Sequence, residues 1–211
     1  QASGNDTLDY SRYTTGVKVD LALGLATGVN RGWSVDLRNF EKASIRGIEN
    51  AIGGSGKDVL LGDEHNNRLA GNGNDDYLNG RGGDDLLDGG PGNDVVEGGT
   101  GNDLFLMVPA GTDEVVESDG TDTLDFSGAL RGVTVDLSKD NGQKQTVDAA
   151  GNKLYLRGLI ENVIGSESAD VIQGNCAANT LDGRGGDDRL YGSFGNDTLL
   201  GGEGKDRLYG D

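Results

Sequence analysis

The chain has 211 residues, with 39 glycines, 36 acidic residues and 18 lysines or arginines, which gives a formal net charge of −18. This excess of negative charge disfavours nucleic acid and anionic membranes as partners, because both repel it. A single cysteine, Cys176, excludes an intrachain disulfide, and one histidine, His65, leaves no His/Cys cluster for zinc. No apolar run is long enough for a transmembrane helix, so we expect no transmembrane segment.

The first nine residues, QASGNDTLD, already place glycine, aspartate and leucine at positions four, six and eight. A pattern that begins inside a unit leads us to expect that the chain is a piece of a larger parent chain. Residues 10–52 are less regular. Val17, Val19 and Leu21 alternate with polar residues, which predicts a half-buried strand, and Ser34 to Phe40 predicts a less distinct one. Trp33 is predicted to lie in the core of this segment.

Residues 53–106 divide into six consecutive nine-residue units: GGSGKDVLL, GDEHNNRLA, GNGNDDYLN, GRGGDDLLD, GGPGNDVVE and GGTGNDLFL. Glycine holds the first position, aspartate (once Asn67) the sixth, and a large apolar residue the eighth. Glycine suits a tight turn with positive φ, and the apolar residue suits a short strand. A fixed period of this kind predicts a repeat array in which two units form one coil of a solenoid.

The residues 107–119, MVPAGTDEVVESD, are predicted to connect this array to a second copy of the whole block. In that copy Asp6–Ser11 recurs at 122–127, Gly16–Leu21 at 132–137 and Ile48–Asn50 at 160–162. From Gly165 the nonapeptide units resume as GSESADVIQ, GNCAANTLD, GRGGDDRLY, GSFGNDTLL and GGEGKDRLY. The predicted organisation is block 1 at 1–106 (irregular β segment 10–52, array 53–106), connector 107–119, and block 2 at 120–211 (irregular β segment 120–164, array 165–211).

Stacked coils would place the sixth-position aspartates in rows along the turns, where like charges a few ångströms apart repel each other. Glycine-rich turns also lose much conformational entropy on folding, and the apolar core is thin. An external ligand is therefore needed. Carboxylates and exposed backbone carbonyls are hard oxygen donors, which favours Ca²⁺ over zinc or copper.

The units match GGxGxDxUx, and by this motif the chain resembles the RTX (repeat-in-toxin) family. Its block layout is similar to the RTX blocks of the adenylate cyclase toxin-haemolysin, in which segments of the type DTxDYS and ENVIG precede each array. The resemblance implies an all-β fold, a parallel β-roll (β-solenoid) with two tandem RTX blocks. It also implies Ca²⁺ between the turns of units n and n+2, with about seven ions in all, four in the first array and three in the second.

The predicted calcium ligands are aspartate or asparagine side chains and glycine carbonyls of the turns. Asp122 joins them because Gly120, Asp122 and Leu124 restore the pattern. We expect weak or absent sites at Asn67 and Asn179, where glycines two and four are missing. The predicted set is Gly53, Gly54, Gly56, Asp58, Gly71, Gly73, Asp76, Gly80, Gly82, Asp85, Gly89, Gly90, Gly92, Asp94, Gly98, Gly99, Gly101, Asp103, Asp122, Gly165, Asp170, Asn179, Gly183, Gly185, Asp188, Gly192, Asp197, Gly201, Gly202 and Asp206.

The expected function is that of a module that folds on Ca²⁺ outside the cell and scaffolds a larger protein. The resemblance implies export by type I secretion machinery and a secreted or cell-surface location. The alternative is an adhesin or glycan-binding segment. An enzyme is disfavoured, since no nucleophile and base pair stands out and no Asp-Pro bond is present for self-cleavage.

Overall fold

The computed structural model describes residues 5–28, 34–36 and 47–210, so the irregular segment 10–52 is described only in part and Trp33 lies outside these ranges. In the described ranges the chain forms short β-strands and no helix. The strands are β1 (Asp6–Asp9), β2 (Val17–Asp20), β3 (Leu25–Gly28), β4 (Ser34–Asp36), β5 (Ile48–Ile52), β6 (Val59–Leu61), β7 (Arg68–Ala70), β8 (Tyr77–Gly82), β9 (Leu86–Asp88), β10 (Val95–Thr100), β11 (Leu104–Leu106), β12 (Thr112–Val116), β13 (Thr123–Asp125), β14 (Thr134–Asp136), β15 (Asn141–Thr146), β16 (Lys153–Arg157), β17 (Asn162–Ile164), β18 (Val171–Gln173), β19 (Thr180–Asp182), β20 (Arg189–Tyr191), β21 (Thr198–Leu200) and β22 (Arg207–Tyr209).

Consecutive nonapeptide strands alternate between two faces of a roll. One face is a parallel sheet in the order β1-β5-β7-β9-β11-β13-β17-β19-β21. The opposite face is formed by β15-β16-β12-β10-β8-β6-β2-β3-β4 and by the parallel sheet β14-β18-β20-β22. Each unit therefore pairs with the units two before and two after it, as in β8, which lies between β6 and β10. The predicted parallel β-roll is confirmed.

The core is a single column of side chains between the two faces. The eighth residue of each unit is the second residue of its strand and points inward, because alternate residues of a strand face opposite sides. These residues are buried in both arrays: Leu60, Leu69, Leu78, Leu87, Val96, Phe105, Ile172, Leu181 and Leu190. Leu199 packs against the same column, whereas Leu208 in the last strand is partly exposed.

The predicted connector 107–119 contains one regular nine-residue unit of the roll. β12 lies inside it and pairs in parallel with β10, with Val115 opposite Val96. Gly111, Asp113 and Val115 hold the fourth, sixth and eighth positions of this unit, and Met107 is one extra residue before it. The sequence analysis missed the unit because Val108 and Pro109 replace its first two glycines.

In the part of the chain that the structure describes, the irregular segments add antiparallel strands to one face of the roll. In block 1, β2, β3 and β4 form an antiparallel set, and in block 2, β15 and β16 form an antiparallel pair. The Gln145 side chain joins β15 to β14 by accepting from the Asp136 N–H and donating to the Asp136 carbonyl. On the other face β13 pairs directly with β17, so the stack of turns continues across the junction.

Candidate metal centre

The sixth-position side chains line the two edges of the roll. Each precedes a strand, so its carboxylate turns back into the glycine turn rather than into solvent. Most of these carboxylates are buried despite their charge, and those of Asp197 and Asp206 in the last two units are partly exposed. The buried ones are Asp58, Asp76, Asp85, Asp94, Asp103, Asp122, Asp170 and Asp188. The structure therefore gathers the predicted acidic residues into rows of turns stacked on one another.

One carboxylate oxygen of each aspartate is used within the roll. The backbone N–H of Asp58 donates to Oδ1 of Asp76 at 2.7 Å, and the N–H of Asp76 donates to Oδ1 of Asp94 at 2.8 Å. The opposite edge repeats this pattern from Asp85 to Asp103 and from Asp103 to Asp122, both at 2.8 Å. These bonds fix each carboxylate above the preceding turn.

The other carboxylate oxygen has no partner in most turns. Burying a charged oxygen without a hydrogen bond or counter-ion is strongly unfavourable, so these atoms indicate a cation. Among the described residues, the buried side-chain oxygens without a hydrogen-bond partner are Oδ2 of Asp76, Asp85, Asp94, Asp103, Asp122, Asp188 and Asp197, and Oε2 of Glu117.

Backbone carbonyls face the same space as these free oxygens. A Cβ placed on Gly71 would collide with Oδ2 of Asp76 and lie 2.7 Å from the carbonyl oxygen of Gly89, one coil further on. A Cβ on Gly192 would likewise meet Oδ2 of Asp197 and lie 2.7 Å from the Gly210 carbonyl. The first-position glycine thus leaves a cradle walled by carboxylate and carbonyl oxygens, a donor set that fits Ca²⁺.

Second- and fourth-position glycines shape the turn through their backbone conformation. Gly90, Gly99 and Gly202 have φ of 86°, 112° and 88°, a region that side chains rarely adopt. The turn of the unit GNGNDDYLN instead uses Asn72 and Asn74, with φ of 74° and 72°. Asparagine tolerates this conformation, so the turn keeps its shape without the two glycines.

Four sixth-position residues, two at the start of each array, have both polar side-chain atoms hydrogen-bonded within the roll. The N–H of Gly54 donates to Oδ2 of Asp58 at 2.6 Å, and the N–H of Ser166 donates to Oδ2 of Asp170 at 2.6 Å. The side-chain oxygens of Asn67 and Asn179 receive the N–H groups of residues 63 and 175. Asp58, Asp170 and Asn179 therefore have no unpartnered side-chain oxygen, unlike the aspartates named above.

Three acidic residues in the rows were not predicted as site residues. Asp113 accepts the N–H of Asp94 at 3.1 Å, and Glu161 accepts the N–H of Asp122 at 2.8 Å. Glu49 does the same for Asp6 at 2.9 Å. The repeated Ile-Glu-Asn segments thus place a glutamate where the arrays place aspartate. Their recurrence at 48–50 and 160–162 was the available signal.

Burial raises the pKa of the fully buried carboxyl groups in the rows. The pKa of Asp76 rises to about 8, with repulsion from Asp58 and Asp94 adding to the effect of burial. The pKa of Asp85 rises to about 7 and that of Asp122 to about 6, again chiefly through burial. Without a cation these groups therefore hold protons at pH values where exposed aspartates are ionised.

The remaining sequence candidates lie outside these rows. His65 is exposed and contacts Asp63 across its own turn, and Cys176 is exposed. No helix in the described part of the chain is long and apolar enough to cross a lipid bilayer.

Comparison with known proteins agrees with this donor set. Residues 1–118, more than half of the chain, match the family described as Peptidase M10 serralysin C terminal. Residues 159–190 and 182–211 match the RTX calcium-binding nonapeptide repeat (4 copies). Serralysin G of Dickeya chrysanthemi is 39% identical over 67 residues, which are 32% of this chain and 13% of that protein. The chain therefore belongs to the serralysin C-terminal family of the M10 peptidases, and its arrays are RTX calcium-binding repeats.

Proposed function

We propose that this chain is a calcium-dependent folding module, which stays unfolded at low Ca²⁺ and closes into the roll when Ca²⁺ fills the turns. The observation that carries the proposal is the row of buried, unpartnered carboxylate oxygens on each edge. Without a cation, each of these charges destabilises the folded state by leaving a desolvated oxygen unpaired. With Ca²⁺ bound, the same oxygens become ligands, so metal binding and folding are one event.

The free oxygens also suggest where the ions bind. Seven turns carry an aspartate with a free Oδ2, five between residues 76 and 122 and two, at Asp188 and Asp197, in the second array. We assign one ion to each, with ligands from that aspartate, glycine carbonyls and the turn one coil further on. The total equals the seven ions expected from the repeat count. The ions are distributed differently, however, because five lie between residues 76 and 122 and two in the second array, whereas four in the first array and three in the second were expected. About seven divalent ions would offset most of the net charge of −18.

The affinity range of such a site suggests a role in export. Extracellular calcium modules bind in the ~10⁻⁴–10⁻³ M range, above cytosolic Ca²⁺ and near the extracellular concentration. The chain would therefore remain an expanded, self-repelling coil in the cytosol, suited to passage through type I secretion machinery, and would fold outside or at the cell surface. Membership of the serralysin C-terminal family supports this role.

We further propose that the module serves a larger secreted protein as a non-catalytic scaffold. The chain matches only 13% of the length of Serralysin G, so a catalytic activity of the parent protein would reside in other residues. Apart from Asp20 in β2, which pairs with Arg81, the buried acidic groups of the described residues belong to the repeat turns or their equivalents.

Circular dichroism and small-angle X-ray scattering test the switch. We expect an expanded coil in chelator, and a compact β-rich particle in millimolar Ca²⁺. The same concentration of Mg²⁺ serves as the control, because Mg²⁺ demands six ligands at shorter distances and gives up its water reluctantly. A chain that is already compact and β-rich in chelator at a pH above the raised pKa values of its buried carboxyl groups would contradict the proposal.

One observation favours the alternative of a glycan-binding or adhesive segment. The rings of Tyr191 and Tyr209 stack on the outer face of the roll at 4.8 Å with an interplanar angle of 6°. Exposed aromatic faces of this kind suit contact with sugar rings. Calcium-dependent retention on a glycan matrix that is lost in the double variant Y191A/Y209A would support this alternative, and retention unchanged by the variant would contradict it.

A further inference from the structure

We propose that the junction between the first array and the second block holds a calcium site of its own kind, with three carboxylates, in which Glu117 supplies a ligand that no other turn has. The proposal rests on the calcium-binding function above and refines it. It concerns a residue outside the repeat consensus, which the sequence analysis placed in a connector.

Glu117 occupies the first position of a nine-residue unit that lacks the first two glycines of the consensus. Counting back from Asp122 at the sixth position and Leu124 at the eighth, the unit is ESDGTDTLD, residues 117–125. Every unit of the two arrays has glycine at this position. A glutamate here is therefore an exception that the structure must accommodate in a turn where glycine otherwise leaves space.

The Glu117 side chain points into the metal cradle rather than out of it. In the turn of Gly71, the oxygen beside the free aspartate Oδ2 is the carbonyl of the first-position glycine one coil further on, Gly89. In the turn of Gly98 the equivalent place is taken by Oε2 of Glu117, and a Cβ on Gly98 would collide with this atom and with Oδ2 of Asp103. The carboxylate of Glu117 thus substitutes for a backbone carbonyl.

The three carboxylates form one cluster. Asp103, Glu117 and Asp122 each place an oxygen within 4.8 Å of the others, and all three side chains are buried. Each residue also has one oxygen without a hydrogen-bond partner. The second oxygen of Glu117 accepts the N–H groups of Ser118 at 2.6 Å and Asp119 at 3.2 Å, which holds the free oxygen in the cradle.

The extra charge distinguishes this site from the others. An ordinary turn pairs two sixth-position residues, whereas the junction adds a third carboxylate to the same space. Calcium affinity rises with the number of charged ligands, so the junction should bind first and most tightly. Because its ligands come from β11's unit and from the unit one coil further on, an ion here orders the step from the first array into the second block.

Calcium titration by isothermal calorimetry tests the proposal on three variants of the whole chain. In E117Q, which keeps the length of the side chain, the tightest binding event should weaken about tenfold or more. E117G restores the glycine found at this position in every array unit. It should weaken the tightest binding event as E117Q does, because the site then has the ligands of an array turn. E203Q is the matched control, since Glu203 lies in an array turn but is exposed, and its titration should match wild type.

The outcomes separate this proposal from the one it rests on. If wild type takes up no calcium, the proposed function itself is wrong. If wild type and E203Q bind calcium and the tightest event is unchanged in E117Q and E117G, the function stands and the junction site is wrong. Should both variants fail to reach the wild-type dichroism spectrum at saturating Ca²⁺, wild-type crystals decide. A calcium ion within ~2.3–2.6 Å of Oε2 of Glu117 supports the site, and filled array turns without that ion refute it.

Discussion

The backbone N–H of Gly54 donates a 2.6 Å hydrogen bond to Oδ2 of Asp58, whereas the equivalent oxygen of Asp76, one coil further on, has no partner. The two aspartates share the sixth position of units whose turns differ in sequence, GGSGKD and GNGNDD. They also differ in the coil on which each stacks. Asp58 receives the N–H of Val17 from the irregular segment, and Asp76 receives that of Asp58 from an array turn. The chemistry of a turn therefore depends on the neighbouring coil as well as on its own consensus.

This difference predicts unequal effects of one substitution at the two positions. In D76N an amide nitrogen replaces a free charged oxygen, so we expect one fewer ion bound and a calcium midpoint for folding several-fold higher. D58N should leave the number of bound ions unchanged, because that oxygen already has a backbone donor. Calcium titration followed by circular dichroism measures both midpoints. Equal shifts in the two variants would show that the hydrogen bond of Gly54 does not close the site.

Glycine at the first position should be required because a side chain there would collide with the aspartate of the same turn. Glycine at the third position should not be required, because a side chain there meets no close neighbour. A Cβ on Gly71 would collide with Oδ2 of Asp76, whereas a Cβ on Gly73 would only approach Ser55 Cα at 3.9 Å. In calcium, G71A should therefore lower the free energy of unfolding by about 1–3 kcal/mol, as overpacking does. G73A should change it by less than about 0.5 kcal/mol, as expected for an unstrained surface position. Urea unfolding of both variants is the measurement, and a neutral G71A would mean that the cradle is wider than described.

The metal-free chain should fold better in acid than at neutral pH. Burial raises the folded-state pKa of Asp76 to about 8 and of Asp188 to about 6, above the ordinary aspartate value of 3.8. The folded state therefore binds protons more tightly than the unfolded state. Its stabilisation is fully present below pH 4 and is lost as the pH rises through 6 to 8.

In chelator we thus expect β-structure to increase between pH 8 and pH 4, and the calcium midpoint to rise over the same interval as protons compete for the carboxylates. Circular dichroism at each pH, with and without calcium, tests this. A metal-free chain that gains structure on going from pH 4 to pH 8 would have the opposite linkage and would contradict burial of these groups.

The Ile-Glu-Asn segments should stabilise the roll through their glutamates. Oε2 of Glu161 accepts the buried N–H of Asp122, so E161A leaves that donor without a partner. We expect a loss of about 1–3 kcal/mol in the free energy of unfolding measured in saturating Ca²⁺. E167A is the comparison, because Glu167 only pairs with Arg184 at the surface, and its removal should cost ~0–1 kcal/mol. Similar losses in the two variants would argue against a stabilising role for the hydrogen bond between Glu161 and the Asp122 N–H.

The sequence predicted the roll and the buried eighth positions because both follow from a fixed period. Leu60 and Leu78 need only face inward from strands whose order the repeat dictates. It did not predict the unit at Val108, since valine and proline hide the glycine signature although Asp113 and Val115 keep their places. It also missed the internal satisfaction of Asp58 and Asp170. The direction of a backbone N–H within a turn depends on the coil stacked against it, and single-residue patterns do not carry that information.

The most direct test of the account is calcium-anomalous diffraction from crystals of the whole chain grown in millimolar Ca²⁺. We predict an anomalous peak within ~2.3–2.6 Å of Oδ2 in the turns of Asp76, Asp85, Asp94, Asp103, Asp122, Asp188 and Asp197. We predict none at Oδ2 of Asp58 or Asp170. A well-ordered roll whose turns carry no calcium at those seven aspartates would contradict the claim that Ca²⁺ ligation holds the coils together.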